Sequence, residues 1–142
     1  MKTYFLSIGL SLFTSALFAQ DLPQSQVPSV VVNQFNNDFP KAKDVDWELK
    51  NNVYNVEFEQ GWDKDFEAWY SADGKQIKLE EDLTKRELPK AVIATIEKEY
   101  PSFKLDDIEK ITEAQKVTYK VEIENKSMEK TLFINENGII KQ

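Results

Sequence analysis

Two pairs of prolines impose a period on this chain. Pro28 and Pro40 lie twelve residues apart, and Pro89 and Pro101 repeat that spacing after a displacement of 61 positions. The same displacement carries Val27 onto Leu88, Val31 onto Val92, Val32 onto Ile93, Phe35 onto Ile96 and Phe39 onto Tyr100. Further along, Tyr54, Val56 and Phe58 match Tyr119, Val121 and Ile123, and Asp73-Gly74 matches Asn137-Gly138, the displacement having grown to 64 or 65. Matching apolar residues alone arise easily by chance. Equal proline spacings enclosing one apolar pattern and closed by an Asp/Asn-Gly turn do not, so the chain is read as two copies of one small unit.

Each copy opens with a helix. Val27, Val31, Phe35 and Phe39 recur every four residues, as do Leu88, Val92, Ile96 and Tyr100, which draws one apolar stripe on a helix. Pro28 and Pro89 are expected at the first helical position, where a missing N–H costs nothing. Pro40 and Pro101 push the residue before them out of the α region and end the helix. Val30-Val31-Val32 favours a strand locally, but its counterpart Ala91-Val92-Ile93-Ala94 is a good helix former, and helix is expected in both. Strands of period two follow: Val45 to Leu49, Val53 to Phe58, Asp65 to Tyr70 and Lys75 to Leu79 in the first copy, then 105–112, 116–124, 128–134 and 138–141 in the second. Asn51-Asn52, Gln60-Gly61, Asp73-Gly74, Lys126-Ser127 and Asn137-Gly138 supply the turns. The spacing of Ile108 and Ile111 breaks the alternation and predicts a bulge or a short strand there. The resulting architecture is α+β: a tandem duplication of a helix-plus-four-strand unit, in two layers with one continuous antiparallel sheet. The repeats span 27–79 and 88–142, joined by a charged connector at 80–87 and preceded by a lead-in at 20–26.

Several motifs resemble the PepSY-like proteins of Bacteroidetes periplasms, whose fold is compared with the β-lactamase inhibitory protein. They are Val27-Pro28 with Phe39-Pro40, Val45-Asp46-Trp47, Tyr54-Asn55-Val56, Ala68-Trp69-Tyr70 leading to Asp73-Gly74, and Leu88-Pro89-Lys90-Ala91-Val92 with Tyr100-Pro101. The resemblance runs from about residue 27 to 141. It implies the tandem fold, a secreted or periplasmic place and an inhibitor-like shape, and it carries no catalytic motif.

The 142 residues include no Cys and no His and carry a formal charge of −7. Disulfides, Cys/His zinc sites, haem held through His, and Ser-His or Cys-His catalytic pairs are thereby excluded. The acidic balance argues against nucleic acid. At the N-terminus, Lys2 precedes an apolar run from Tyr4 to Phe18 that ends at Ala19-Gln20. This describes a signal peptide over residues 1–19, cut after Ala19, and no membrane span remains after cleavage. The expected compartment is periplasmic or extracellular.

The face of the sheet turned away from the helices is the candidate working surface. On it the alternation places Asp44, Asp46, Glu48, Asn55, Glu57, Asp65, Glu67 and Trp69, and Phe133 stands five residues before Gly138 as Trp69 stands five before Gly74. One reading makes Trp69 and Phe133 partner anchors; the other has them cover lysine stems or pair across strands. Trp62, in the hairpin between Gln60 and Lys64, is either an anchor or folded over the sheet edge. Trp47 shares a face with Val45 and Leu49 and belongs to the core. The carboxylates Asp44/Asp46/Glu48 and Asp63/Asp65/Glu67 do not form a calcium-loop pattern, so they are read as a solvated acidic face, and no metal or other cofactor is expected. No enzyme activity is expected, since the serines lack a His base and no motif supports a Ser-Lys pair. The function expected is therefore a non-catalytic module holding a protein or peptide partner through Trp69, Phe133, Trp62, Glu57, Glu67 and Asp65. The alternatives are a carrier or sensor of a small ligand or cation, and an envelope protein that self-associates through strand edges.

Overall fold

Helix formation at both proline pairs follows from one device. In the computed structural model, which describes residues 20–62 and 64–141, α1 spans Ser29–Asp38 and α2 spans Lys90–Glu99. Pro28 and Pro89 stand just outside, as N-caps with φ/ψ of −53°/136° and −58°/143°, one position earlier than expected. An extended cap residue can still offer its carbonyl to the first turn, and the Pro28 oxygen accepts from the Val31 and Val32 amides at 2.9 and 3.1 Å. The segment 1–19, expected to be a signal peptide, lies outside the described residues, as does Asp63.

Eight antiparallel strands form one sheet in chain order. They are β1 (Gln20–Asp21), β2 (Lys43–Lys50), β3 (Val53–Gln60), β4 (Lys64–Tyr70), β5 (Gln76–Asp82), β6 (Lys104–Glu113), β7 (Lys116–Glu124) and β8 (Glu129–Asn135). β5 runs three residues into the charged connector, which then makes a 3-10 turn at Lys85–Glu87. The expected strand at 138–141 is reduced to a single bridge, Ile134 with Ile140, flanked by the bonds from the Asn135 amide to the Ile139 carbonyl and from the Lys141 amide to the Phe133 carbonyl. The bulge of β6 lies between Leu105 and Ile108, earlier than expected. Ile111 is in regular pairing with Thr118, on the face opposite Ile108.

Both helices cover the same face. Phe66, Ala68, Leu79 and Thr112 share one side by register, and Ile108 lies on it too. Under α1, Phe35 meets Trp47, Phe58 and Tyr70 edge-on, and Phe58 stacks on Phe66 at 5.3 Å. Under α2 the core is mostly aliphatic: Val92, Ile96, Val121, Ile123, Leu132 and Ile134. Between the two cores, on the helix side, Glu81 receives Lys64 at 2.6 Å and Lys110 at 3.4 Å, and Lys64 also reaches Glu87 at 3.0 Å. The two cores are therefore separate apolar clusters joined by a sheet and a polar seam.

Candidate functional site

The second face of the sheet carries no helix, and its side chains are placed by strand parity alone. Register aligns them in rows across the strands. Asp46, Glu57, Glu67 and Glu80 stand opposite one another on β2, β3, β4 and β5. Beside them, Glu59 faces Asp65 on β3 and β4, and Asp82 faces Glu109 on β5 and β6. Directly opposed like charges destabilise a sheet by a few tenths of a kcal/mol to about 1 kcal/mol each. The carboxylates line a shallow concavity of about 330 Å³ to which Asp44 also contributes; Asp44 takes a φ of 47° where β2 bulges against β3.

The ion pairs on this face lie on β5, β6 and β7. Lys78 reaches Glu80 at 2.5 Å and Lys120 reaches Glu109 at 3.0 Å. Asp46, Glu57, Glu59, Asp65 and Glu67 have no cation partner among the described residues. Burial pushes Glu67 above its ordinary 4.5, against a hydrogen bond from Asn55, and the Glu80 and Glu57 carboxylates raise it further. Burial also pushes Asp82 up, aided by Asp107, Asp65 and Glu109. Asn55, expected as a solvated polar residue, is buried at 3% exposure. It sits between Glu48 and Trp69 in the pairing, and its amide donates to the Ala68 carbonyl at 3.4 Å.

The three aromatic candidates occupy different settings. Trp69 is half-buried, and the Lys78 ammonium lies 3.9 Å from its ring centroid, a close cation–π contact. Phe133, on β8, is 41% exposed. Four strand spacings separate it from Trp69 across the sheet, about 19 Å at roughly 4.8 Å per strand, and the register offsets it further along the strands. Trp62, at the tip of the β3–β4 hairpin next to Gly61, is 99% exposed. Glu57, Glu67 and Asp65 are thus brought together, with Trp62 at the end of the same two strands, while Phe133 stands apart. Sequence reasoning missed Glu59, Glu80, Asp82 and Glu109. Carrying the period-two alternation from Lys78 on through Glu80 and Asp82 would have found two of them. Among the described residues no three side chains are arranged to hold a metal ion, and no helix is long and apolar enough to cross a membrane.

Comparison with known proteins bears on the whole molecule. A family described as "Putative beta-lactamase-inhibitor-like, PepSY-like" matches residues 17–67 and 52–142. Among solved structures, a BLIP-like protein from Bacteroides fragilis superposes with a TM-score of 0.71 at 22% identity, covering 85% of each chain. A DUF2874 family protein from Bacteroides ovatus gives 0.72 at 18% identity, over 81% of this chain and 84% of that one. A protein from Bacteroides eggerthii described as "putative periplasmic" gives 0.74 at 16% identity, over 82% and 86%. At these identities the likeness is one of fold. No match was found among curated proteins.

Proposed function

This chain belongs to the PepSY-like, beta-lactamase-inhibitor-like family, and from that premise we propose that it is a non-catalytic periplasmic module that holds a protein or peptide partner on the open face of its sheet. One observation carries the reading: a wide sheet face left bare by both helices, on which carboxylates of four neighbouring strands stand opposed, an arrangement that disfavours folding. A partner with Lys or Arg side chains would relieve that repulsion on binding. Trp62 is the exposed anchor next to the acidic concavity, and Glu57, Glu67 and Asp65 supply its charge. Phe133 extends the contact toward the second repeat. Trp69 joins it once Lys78 is displaced. If the partner is a hydrolase, occupation of its cleft produces inhibition.

The on-rate of such a complex falls with added salt, because charge steers the encounter. The test is capture from an envelope extract with the wild-type chain, Trp62→Ala/Phe133→Ala and Glu57→Lys/Glu67→Lys. A partner retained by wild type, lost by both variants and weakened by salt supports the reading. An unchanged set of captured proteins overturns the site.

A further inference from the structure

On the opposite side of the molecule, a cavity of about 390 Å³ opens between the C-terminal half of α2 and the start of β6. Beside Pro101, its apolar lining is Ile93, Ile96, Tyr100, Phe103 and Leu105. Ile96 is buried and the other four are only partly covered. The duplication supplies an internal control. In the first repeat the same end of the helix is closed by rings: Phe35 to Phe39 at 5.7 Å, Phe39 to Phe58 at 4.5 Å, Phe58 to Phe66 at 5.3 Å. Their counterparts in the second repeat are Ile96, Tyr100, Ile123 and Lys130. Three of four rings are gone, and Tyr100 turns edge-on to Phe103 at 5.7 Å. The second repeat thus has apolar groups to fill this space differently from the first, and leaves a cavity within the size range of small-ligand sites.

Two of the three charged residues lining the cavity are cations, Lys85 and Lys104, the latter opposite Glu124 in the β6–β7 pairing, and the Lys130 ammonium lies 5.6 Å from the Tyr100 ring centroid. The acid in the lining is Glu97, 3.6 Å from Lys85, both side chains more than half exposed. Such an exposed pair is weakly held, so Lys85 is free to turn to a ligand. We propose that this cavity binds a small amphiphilic anion. Its apolar body, a single ring or short acyl chain, lies against Tyr100 and Phe103, and its carboxylate meets Lys104 and Lys85.

The test is calorimetric titration of the whole chain with octanoate and with neutral octanol, on wild type and on Lys85→Glu/Lys104→Glu. Both substitutions are at exposed positions, and circular dichroism with a melting curve checks that the fold is kept. Saturable octanoate binding, weaker octanol binding, and about tenfold loss of octanoate affinity in the double variant with octanol unchanged support the proposal. No saturable octanoate binding to wild type overturns it, as does equal affinity in the double variant. A dimer of the unliganded chain that the double variant dissolves also overturns it, by assigning the cavity to a second copy.

Discussion

Gly138 shows how much a single missing side chain can decide. It sits at φ +79°, and a Cβ there would lie 2.6 Å from the Ala91 carbonyl oxygen and 2.7 Å from the Thr95 hydroxyl. The Thr95 hydroxyl donates to the Gly138 carbonyl at 2.7 Å, so the turn after β8 rests directly on α2. Gly74 does the same against α1 with more room, its Cβ position 3.0 Å from the Val30 oxygen. Asn-Gly and Asp-Gly were readable as turns from composition; their docking on the helices was not, because it depends on where the helix lies. Gly138→Ala should destabilise by about 2–4 kcal/mol, combining left-handed strain with a backbone clash. Gly74→Ala should cost less, and urea midpoints of the two variants measure the difference. Trp69 teaches the same lesson from the surface. Parity placed it on the open face and one reading had it cover a lysine; that the lysine is Lys78 of the next strand needs the register to be seen.

At the level of elements, the alternating strands made the hairpins legible, but the turn conformation was legible only where the turn residues are conventional. Asn51 and Asn52 join β2 to β3 with φ of 53° and 62°, the left-handed pair that a two-residue hairpin demands. Ala114 and Gln115 join β6 to β7 with φ of 47° and 64°, yet neither residue favours that region. The long β6–β7 ladder, not the turn, sets this connection. Replacing the pair by Asn-Gly should therefore stabilise the protein by about 1 kcal/mol, read as a raised melting midpoint; no gain would mean the ladder already absorbs the strain. The sheet's two edges are also managed. The Leu22 amide donates to the Trp47 carbonyl at 2.8 Å on one side, and the Lys141 amide to the Phe133 carbonyl at 2.7 Å on the other. Glu129 and Lys130 place charge on the uncovered stretch of β8, a device that discourages edge pairing.

Across the whole molecule, the duplicated architecture was legible because both copies repeat one apolar pattern, and the opposed acid rows were not, because they arise only when four strands are in register. Those rows, together with Glu87 outside them, make stability depend on pH in two windows of opposite sign. Glu67 has its folded pKa raised above 4.5 by burial and by Glu80 and Glu57, and Asp82 is raised above 3.8. The folded state therefore binds more protons than the unfolded chain just above the ordinary carboxylate range, and stability falls as pH rises through it. Glu87 works the other way. Hydrogen bonds from the Thr84 amide, then from Lys64 and the Thr84 hydroxyl, hold it down at about 2. Its contribution is present above 4.5 and is lost as pH falls from there toward about 2. The melting midpoint should peak near about pH 5 and decline on both sides. Screening should raise it at pH 7.5, since the dominant surface term there is repulsion. Glu67→Gln should add roughly 0.5–1 kcal/mol at neutral pH and flatten the alkaline limb while leaving the acid limb in place. A midpoint that rises steadily from pH 5 to 8, or one that Glu67→Gln leaves unchanged, would show that the opposed carboxylates do not strain the sheet. The folding cost on which the basic-partner reading rests would then be absent.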